Sequence, residues 1–358
     1  MKVVIPGGTG QVGTALRRAL LSAGHEVKVL TRGPAGDGLV CWDGERLGPW
    51  AREIDGSDVV INLAGRSVSC RYTKGNLTEM MRSRVRATRA VGLAIADAAR
   101  PPAAWLQMST ATIYAHTYGA ANDDVTGVIG GSEEGVPGYW AFSVDIAQAW
   151  ERELADAKVP ATRKVVLRAA MVMTPDQGGV FDVLSRMTRL GLGGPVAGGG
   201  QYVSWIHQDD FTAAVRFIMD DDALTGPVNL TSPGPVRQRD LMQGLRAAWG
   251  VPFGLPATRW MAEIGALAIR TDTELLLKSR RVVPNRLTAA GFEFQHGTWP
   301  EAARDLVQRA RTRDATRLHG RAALRFDRVP YQLPLCSGTR ETSGTMTTNR
   351  IPATTQRI

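Results

Sequence analysis

The stretch Val3-Val4-Ile5-Pro6-Gly7-Gly8-Thr9-Gly10-Gln11-Val12-Gly13 decides the fold. It joins an apolar strand, predicted over 2–6, to a helix predicted over 10–24. Glycines three residues apart allow a tight turn, close approach of the backbone to a pyrophosphate, and close helix–strand packing. The helix start adds free N–H groups and a positive partial charge. A glycine turn without a ligand is the alternative, but the strand and helix around it favour a dinucleotide site. The predicted contacts are Gly7, Thr9, Gly10, Gln11, Val12 and Gly13.

The second predicted strand, over 25–31, ends in Thr31 and Arg32. A site for NAD usually has an Asp or Glu about 20 residues after the glycines, where it binds the ribose 2′-hydroxyl. No acid stands at this strand end, and Glu26 lies at the opposite end. Arg32, aided by Thr31, can instead pair with a 2′-phosphate. The alternative is a solvated loop arginine. We therefore predict that NADP(H) is favoured over NAD(H).

Further along the chain, apolar strands alternate with helices. Strands are predicted over 39–42, 57–63, 105–109, 164–169 and 227–230, and helices over 77–99, 139–157 and 211–219. This alternation predicts an α/β fold with a doubly wound parallel sheet. We predict a Rossmann domain over 1–235, a small, mainly helical C-terminal lobe over 236–311 with a short strand over 291–294, and a disordered basic tail over 312–358.

The net charge of +9 over 358 residues first suggests a nucleic-acid partner. The segment 312–358 contains eight arginines and three acids, so its net charge is +5 and the other residues carry only +4. No nucleic-acid recognition motif occurs, and we predict no nucleic-acid or membrane partner.

Cysteine usage and hydropathy bear on the compartment. The chain has only three cysteines, Cys41, Cys70 and Cys336, and their wide spacing disfavours a disulfide framework or a zinc cluster, so we predict no metal site. The chain shows no secretion signal and no apolar run of the roughly 18 residues that a membrane span needs. These features predict a cytoplasmic protein.

Several motifs together resemble a known family. The glycine loop, Asn62-Leu63-Ala64-Gly65, Ser109-Thr110-Ala111-Thr112-Ile113-Tyr114, Trp150-Glu151 and Arg281-Val282-Val283-Pro284 resemble those of an extended short-chain dehydrogenase/reductase. The closest resemblance is to NAD-dependent epimerase/dehydratase-like proteins with a small C-terminal domain of unknown function. It extends over roughly residues 1–310 and leaves out the tail.

The resemblance implies a seven-stranded parallel Rossmann sheet with the cofactor across its C-terminal edge. An oxidoreductase or epimerase substrate, a small carbonyl or sugar-type molecule, would bind between the sheet and the lobe. Leu63, Ala64 and Gly65 would line the nicotinamide-side ribose, and Ser109 would add a further cofactor contact. Homodimers formed through the helices near 77–99 and 139–157 are common in such enzymes.

The superfamily's chemistry uses a Ser or Thr, a Tyr, and a Lys four residues after the Tyr. Thr110 falls in the Ser/Thr position, but no tyrosine of this chain has a lysine four residues later. Counting from Thr110 makes Tyr139 the nearest tyrosine, with Ser143 in the Lys position. Counting from Trp150-Glu151 instead places residues 142–143 near the Tyr position and Ala147 near the Lys position. Thr110 and Tyr139 are the catalytic candidates, and a non-catalytic NADP(H) sensor or scaffold is the alternative.

Two further sets of charged or titratable residues are predicted to have structural roles. The arginines of the helix near 77–99 are predicted to form a solvated or dimer-facing side: Arg82, Arg84, Arg86 and Arg89. His207 and Asp209 are predicted to cap the following helix, with direct chemistry as the less favoured alternative.

Overall fold

A computed structural model describes residues 1–68, 70, 72–134, 137–258 and 274–323. The strands are β1 Lys2–Pro6, β2 Glu26–Thr31, β3 Leu39–Cys41, β4 Val59–Asn62, β5 Ala104–Thr110, β6 Arg163–Ala169, β7 Met171–Met173, β8 Tyr202–Val203, β9 Trp205–His207, β10 Gly226–Leu230 and β11 Val236–Arg237. The helices are α1 Gln11–Ser22, α2 Lys74–Ala96, α3 Ala141–Asp156, α4 Val180–Arg189, α5 Gln208–Asp220, α6 Gln238–Trp249, α7 Glu274–Leu277, α8 Asn285–Ala289 and α9 Trp299–Ala323.

Seven strands form one parallel sheet in the order β10-β6-β5-β4-β1-β2-β3. The chain moves outward from β1 in one direction through β2 and β3, and in the other through β4, β5, β6 and β10. This reversal leaves a crevice beyond the carboxyl ends of β1 and β4, where ligands of doubly wound sheets bind. The predicted α/β class and the seven-stranded Rossmann sheet are confirmed.

Helices cover both faces of the sheet because its central strands are apolar on both sides. On one face, Leu16 of α1 and Phe211 of α5 pack against Ile5 and Ile61. On the other, Val91 of α2 and Leu154 of α3 are buried against the opposite sides of the same strands. Two packed faces are what a parallel sheet requires.

The C-terminal lobe packs through α6 and α9. The indoles of Trp205 and Trp299 meet edge to face, with 5.1 Å between ring centroids, and join β9 to this lobe. The extended chain is interrupted at Ser204, so that β8 before it pairs with β11 and β9 after it pairs with β7. A segment of the lobe contacts the chain at this point: the Ser204 hydroxyl donates to Arg280 O at 2.8 Å and accepts from Val282 N at 2.8 Å.

One prediction for the C-terminal part is wrong. Residues 291–294 form no strand, because the rings of Phe292 and Phe294 pack edge to face and against the core instead of pairing with a neighbouring strand. The helix α9 continues past residue 312, where the tail was predicted to begin. Contacts with the body support this extension: Arg313 donates to Pro175 O, and Asp314 lies 3.7 Å from Arg189. Residues 324–358 lie outside the described residues. Among the described helices, none is both long and apolar enough to cross a membrane.

Candidate functional site

A cavity of about 600 Å³ lies at the carboxyl edge of the sheet. Its wall begins at the glycine loop, continues through the segments after β4 and β5 and the inner face of α3, and reaches the lobe at Arg280. Of the predicted site residues, those that line it are Gly7, Gly10, Gln11, Val12, Gly13, Leu63, Gly65, Ser109 and Thr110. Four other predicted site residues do not line the cavity: Thr9, Thr31, Arg32 and Ala64.

The glycines at the loop meet different surroundings. A Cβ on Gly7, whose φ is +75°, would lie 2.6 Å from Ala64 Cα, and one on Gly13 would lie 2.5 Å from Gly8 Cα. Glycine is therefore needed at residue 7 for the loop to pack against the end of β4. It is needed at residue 13 for α1 to pack against the loop. Gly10 differs, because a Cβ there would meet nothing within 4 Å. The space beside Gly10 is part of the cavity.

Helix α1 begins beside this open space with no internal cap. Gly10 is its N-cap residue and supplies no side-chain hydrogen bond, and the first turn holds no acid. The first N–H groups of a helix have no partner within it and carry a positive partial charge. Gln11 extends across to the segment before α4, where its amide donates to Asp176 O at 3.1 Å. This end of the cavity presents N–H donors to an anion.

Thr31 and Arg32 follow β2 next to the glycine loop, since Gly7 N donates to Leu30 O at 2.9 Å. Thr31 is buried, and its hydroxyl accepts from Gly33 N at 3.0 Å. Arg32 is exposed, and within the described residues it has no ion pair. Its guanidinium is therefore available to a ligand beside the loop.

Thr110 and Ser109 end β5 at the cavity with different hydroxyl environments. The Thr110 oxygen accepts from Thr112 N at 3.2 Å, and its hydrogen has no acceptor among the described residues. The Ser109 hydroxyl donates to Glu151 Oε1 at 2.6 Å. Thr110 is therefore the hydroxyl that can donate to a ligand, whereas the Ser109 hydrogen is engaged.

A buried network lies behind Ser109. Arg168 donates twice to Glu151, at 2.9 and 2.7 Å, and once to the Tyr114 hydroxyl at 3.0 Å. Tyr114 donates to Asn229 Oδ1 at 2.9 Å. Burial alone would lower the pKa of Arg168, but the bonds and charge of Glu151 outweigh it and raise that pKa. Burial raises the pKa of Tyr114, so its phenol stays protonated. The network braces β5, β6 and β10 below the cavity.

The inner face of α3 carries the residues that counting from Trp150-Glu151 places near the tyrosine and lysine positions of the superfamily. Ser143 and Ala147, one helical turn apart, both line the cavity, and neither side chain titrates near neutral pH. Tyr139 lies in the short 3₁₀ turn Gly138–Trp140 before α3. Its side chain is outside the described residues, so its catalytic role stays a prediction.

Charged side chains from the lobe meet the far end of the cavity, and sequence reasoning missed them. Glu274 accepts a hydrogen bond from the Ser143 hydroxyl and lies 3.7 Å from Lys278 Nζ and 3.9 Å from Arg280 Nη2. Lys278 donates to Thr112 O at 3.0 Å, and Arg280 donates to Thr112 Oγ1 at 3.2 Å. Burial lowers the pKa of Lys278. No local spacing reveals the contacts of this group, because its partners Ser143 and Thr112 come from two other segments of the chain.

Arg84 does not belong to a solvated or dimer-facing helix side, as was predicted. It is buried on the cavity wall, together with Met80 one turn before it. The buried face of α2 passes through residues 80, 84, 88, 91 and 95. The other three arginines are exposed and pair within the chain, Arg82 and Arg86 with Glu45 and Arg89 with Glu153. The four-residue spacing from Met80 through Arg84 to Thr88 was the available signal.

His207 caps α5, as predicted, and anchors α9. Its Nδ1 accepts from Asp209 N at 3.1 Å, so we assign the hydrogen to Nε2, which lies 3.0 Å from Asp305 Oδ2. The Arg309 guanidinium lies 2.7 Å from the carboxylates of both Asp209 and Asp305. The His296 ring stacks on the His207 ring, with 3.7 Å between the ring centroids. Burial, followed by the charge of His296, lowers the pKa of His207 to about 4. A metal ion bound by His207 Nε2 would displace this hydrogen, so we interpret the group formed by His207, His296 and Asp305 as structural.

Comparison with known proteins agrees with this geometry. A profile of the NAD dependent epimerase/dehydratase family matches residues 3–230, and a domain of unknown function, DUF1731, matches residues 258–306. The chain belongs to the NAD dependent epimerase/dehydratase family. The epimerase family protein SDR39U1 of Mus musculus is 31% identical over 320 residues, which cover 86% of this chain and all of that protein.

Solved structures show the same similarity. Human epimerase family protein SDR39U1, solved with NADPH, superposes with a TM-score of 0.76 at 27% identity, covering 86% of this chain and 99% of its own. UDP-glucose 4-epimerase from Thermus thermophilus, solved with NAD, superposes with a TM-score of 0.63 at 17% identity, covering 87% of this chain and 99% of its own. The second similarity shows the fold alone.

Proposed function

We propose that this protein is an NADP(H)-dependent oxidoreductase or epimerase acting on a small carbonyl or sugar-type substrate. The observation that carries the proposal is the open space at Gly10, beside an uncapped helix start in a loop whose other glycines are closely packed. This arrangement matches a pyrophosphate, because it offers N–H donors, a positive partial charge and room for close approach. The family membership gives independent support.

Arg32 supports NADP(H) over NAD(H). It is exposed beside the glycine loop and has no ion pair among the described residues, so a 2′-phosphate would meet a guanidinium not engaged elsewhere. An acid at this position would repel the phosphate, and none stands at the end of β2. The NADPH in the structure of the human relative is consistent with this preference.

The proposed roles divide along the cavity. Gly10, Gln11 and Val12 would hold the pyrophosphate, Arg32 the 2′-phosphate, and Leu63 with Gly65 the far ribose. When bound, the cofactor supplies two-electron redox chemistry. The Thr110 hydroxyl, whose hydrogen is not engaged, would donate to a substrate oxygen. Tyr139 would exchange a proton with that oxygen, without the lysine that usually lowers the phenol pKa.

The composition of the α3 face favours a second candidate function, a non-catalytic NADP(H) sensor. Ser143 and Ala147 occupy the cavity face where a tyrosine and lysine would act. A phenol with its ordinary pKa near 10 is poorly matched to proton transfer at neutral pH. A sensor would bind NADPH and turn over no substrate.

Two measurements test these functions. Calorimetric titration should show NADPH binding at least about tenfold tighter than NADH, a difference of about 1.4 kcal/mol. NADPH oxidation should then be followed over a panel of carbonyl compounds and nucleotide sugars. Turnover that is lost in both Thr110→Ala and Tyr139→Phe supports the enzyme, and full activity in both variants contradicts these roles. Tight NADPH binding without any turnover favours the sensor.

A further inference from the structure

The charged side chains on the described part of the cavity wall are all cationic. Among the described residues that line the cavity there are three arginines, Arg66, Arg84 and Arg280, and no Asp or Glu. Burying a cation without a compensating charge is costly, so proteins pair such groups with acids or use them to bind ligands. The three arginines differ in how each is compensated.

Two of them have partners that explain their positions. Arg66 is exposed at the rim, and its Nη2 donates to Asn76 Oδ1 at 2.9 Å. Arg280 is buried, but it lies 3.9 Å from the Glu274 carboxylate and donates to Thr112. Neither of these guanidiniums requires a ligand.

Arg84 is buried, and it has no acidic partner among the residues that the structure describes. Its exposed fraction is 8%, and its one hydrogen bond within the described residues runs from Nη1 to Met80 O at 3.0 Å. The guanidinium stacks on the indole of Trp150, 4.9 Å from the ring centroid. Burial lowers the pKa of Arg84 to about 10, so the group is still charged at neutral pH. Nε and Nη2 remain available in the plane of the guanidinium.

A stacked guanidinium with free in-plane N–H groups is suited to a carboxylate or phosphate, which it can bind through two parallel hydrogen bonds. Trp150 fixes the plane of the fork. Trp150 also shares α3 with Ser143 and Ala147, which line the same cavity. Arg84 therefore lies on the α3 side of the cavity, where the reaction is proposed to occur, whereas the glycine loop would provide donors for the pyrophosphate.

We propose that Arg84 binds an oxyanion of the substrate, a carboxylate or a phosphate, inside the cavity. The proposal rests on the function proposed above, since it names the class of substrate for that site. It adds a recognition element from α2 to a site that would otherwise offer the substrate mostly hydroxyl and apolar groups. A neutral carbonyl compound or sugar would then bind more weakly than its acidic or phosphorylated analogue.

The test uses the full chain saturated with NADPH, so that the pyrophosphate positions are filled. Inorganic phosphate and malonate are titrated separately at constant ionic strength with chloride, and binding is followed by calorimetry. The variants are Arg84→Gln and Arg84→Lys. The matched control is Arg89→Gln, which removes an exposed arginine of the same helix that pairs with Glu153 on α3. NADPH affinity and melting temperature are measured for each variant.

The expected result is that phosphate or malonate binds the wild type, that Arg84→Gln weakens this binding at least about tenfold, and that Arg84→Lys weakens it less because the charge remains. NADPH affinity should change less than about threefold, and Arg89→Gln should match the wild type in both respects. The lysine variant also provides the test if Arg84→Gln fails to fold.

Three results would overturn the proposal. The first is that neither phosphate nor malonate binds the wild type. The second is that both Arg84 variants bind the anion as tightly as the wild type does, which would identify an adventitious ion only. Weaker NADPH binding with unchanged anion binding would assign Arg84 to the cofactor, which contradicts the substrate subsite and leaves the proposed function intact. Failure of the wild type to bind NADPH would instead refute the proposed function.

Discussion

The two ends of the cavity are built in opposite ways. At the glycine-loop end, a contiguous stretch of the chain supplies the turn, the open space at Gly10 and the start of α1. At the lobe end, Ser143, Thr112 and Glu274 come from three distant segments and meet only because the lobe folds back on the sheet. The first end depends on backbone conformation and the second on buried charge. Substitutions at the two ends should therefore fail in different ways.

The largest effect on stability is expected at the lobe end. Glu274→Ala removes the acid beside Lys278, and both side chains are 1% exposed. Removing one partner of a buried pair leaves an uncompensated charge and costs about 3–5 kcal/mol. Urea unfolding should show this loss, whereas Glu153→Ala, at the surface pair with the exposed Arg89, should cost less than about 1 kcal/mol. Equal losses in the two variants would show that the lobe end does not depend on buried charge.

A pH-dependent effect of similar size is expected where the lobe helix α9 meets His207. In the folded protein the His207 pKa is lowered from 6.5 to about 4, so between these values the unfolded chain binds more protons. Stability contributed by the neutral ring is present above pH 6.5 and is lost as the pH falls to 4, by at most about 3 kcal/mol.

His207→Asn tests this assignment, because an asparagine oxygen can still cap Asp209 N but does not titrate. The free energy of unfolding should be measured at pH 7, 5.5 and 4 for both proteins. The wild type should lose more stability than the variant over this range. Parallel curves would show that His207 is not the titrating group.

The glycine-loop end should respond to volume rather than charge. Gly13→Ala places a methyl group 2.5 Å from Gly8 Cα, so α1 must move away from the loop. Overpacking of this kind costs about 1–3 kcal/mol. Thermal unfolding should show a lower melting temperature for this variant. Gly24→Ala is not a suitable control, because its φ of +81° strains any side chain, whereas Gly75→Ala, with open space at an ordinary φ, is suitable.

The smallest effect concerns the choice of cofactor. Arg32→Gln should leave stability unchanged, because the side chain is exposed and lacks an ion pair within the described residues. It should weaken NADPH binding about tenfold and leave NADH binding unchanged, since one charge-assisted contact to the 2′-phosphate is lost. Parallel titrations with the two nucleotides measure this difference. An equal decrease for both would mean that Arg32 does not read the 2′-phosphate.

The glycine-loop end could be predicted from the sequence, whereas most of the lobe end could not. The glycine loop, the alternation of strands and helices, and the family motifs predicted the fold and one end of the cavity, because these signals are local. The group around Glu274 could not be predicted, since its contacts join residues that are 131 and 166 positions apart. Arg84 lies between these cases. Its spacing from Met80 and Thr88 was visible, but an arginine on a buried helix face is rare enough that exposure was the natural expectation.

The binding of NADPH to Gly10→Ala tests the cofactor site most directly. A Cβ at Gly10 would meet no atom of the described residues within 4 Å, so the variant should fold and melt like the wild type. The same methyl group would occupy the space in which the backbone approaches a pyrophosphate. Calorimetric titration should therefore show NADPH binding weakened at least about tenfold with an unchanged melting temperature. Wild-type NADPH affinity in Gly10→Ala would contradict a cofactor site at the glycine loop.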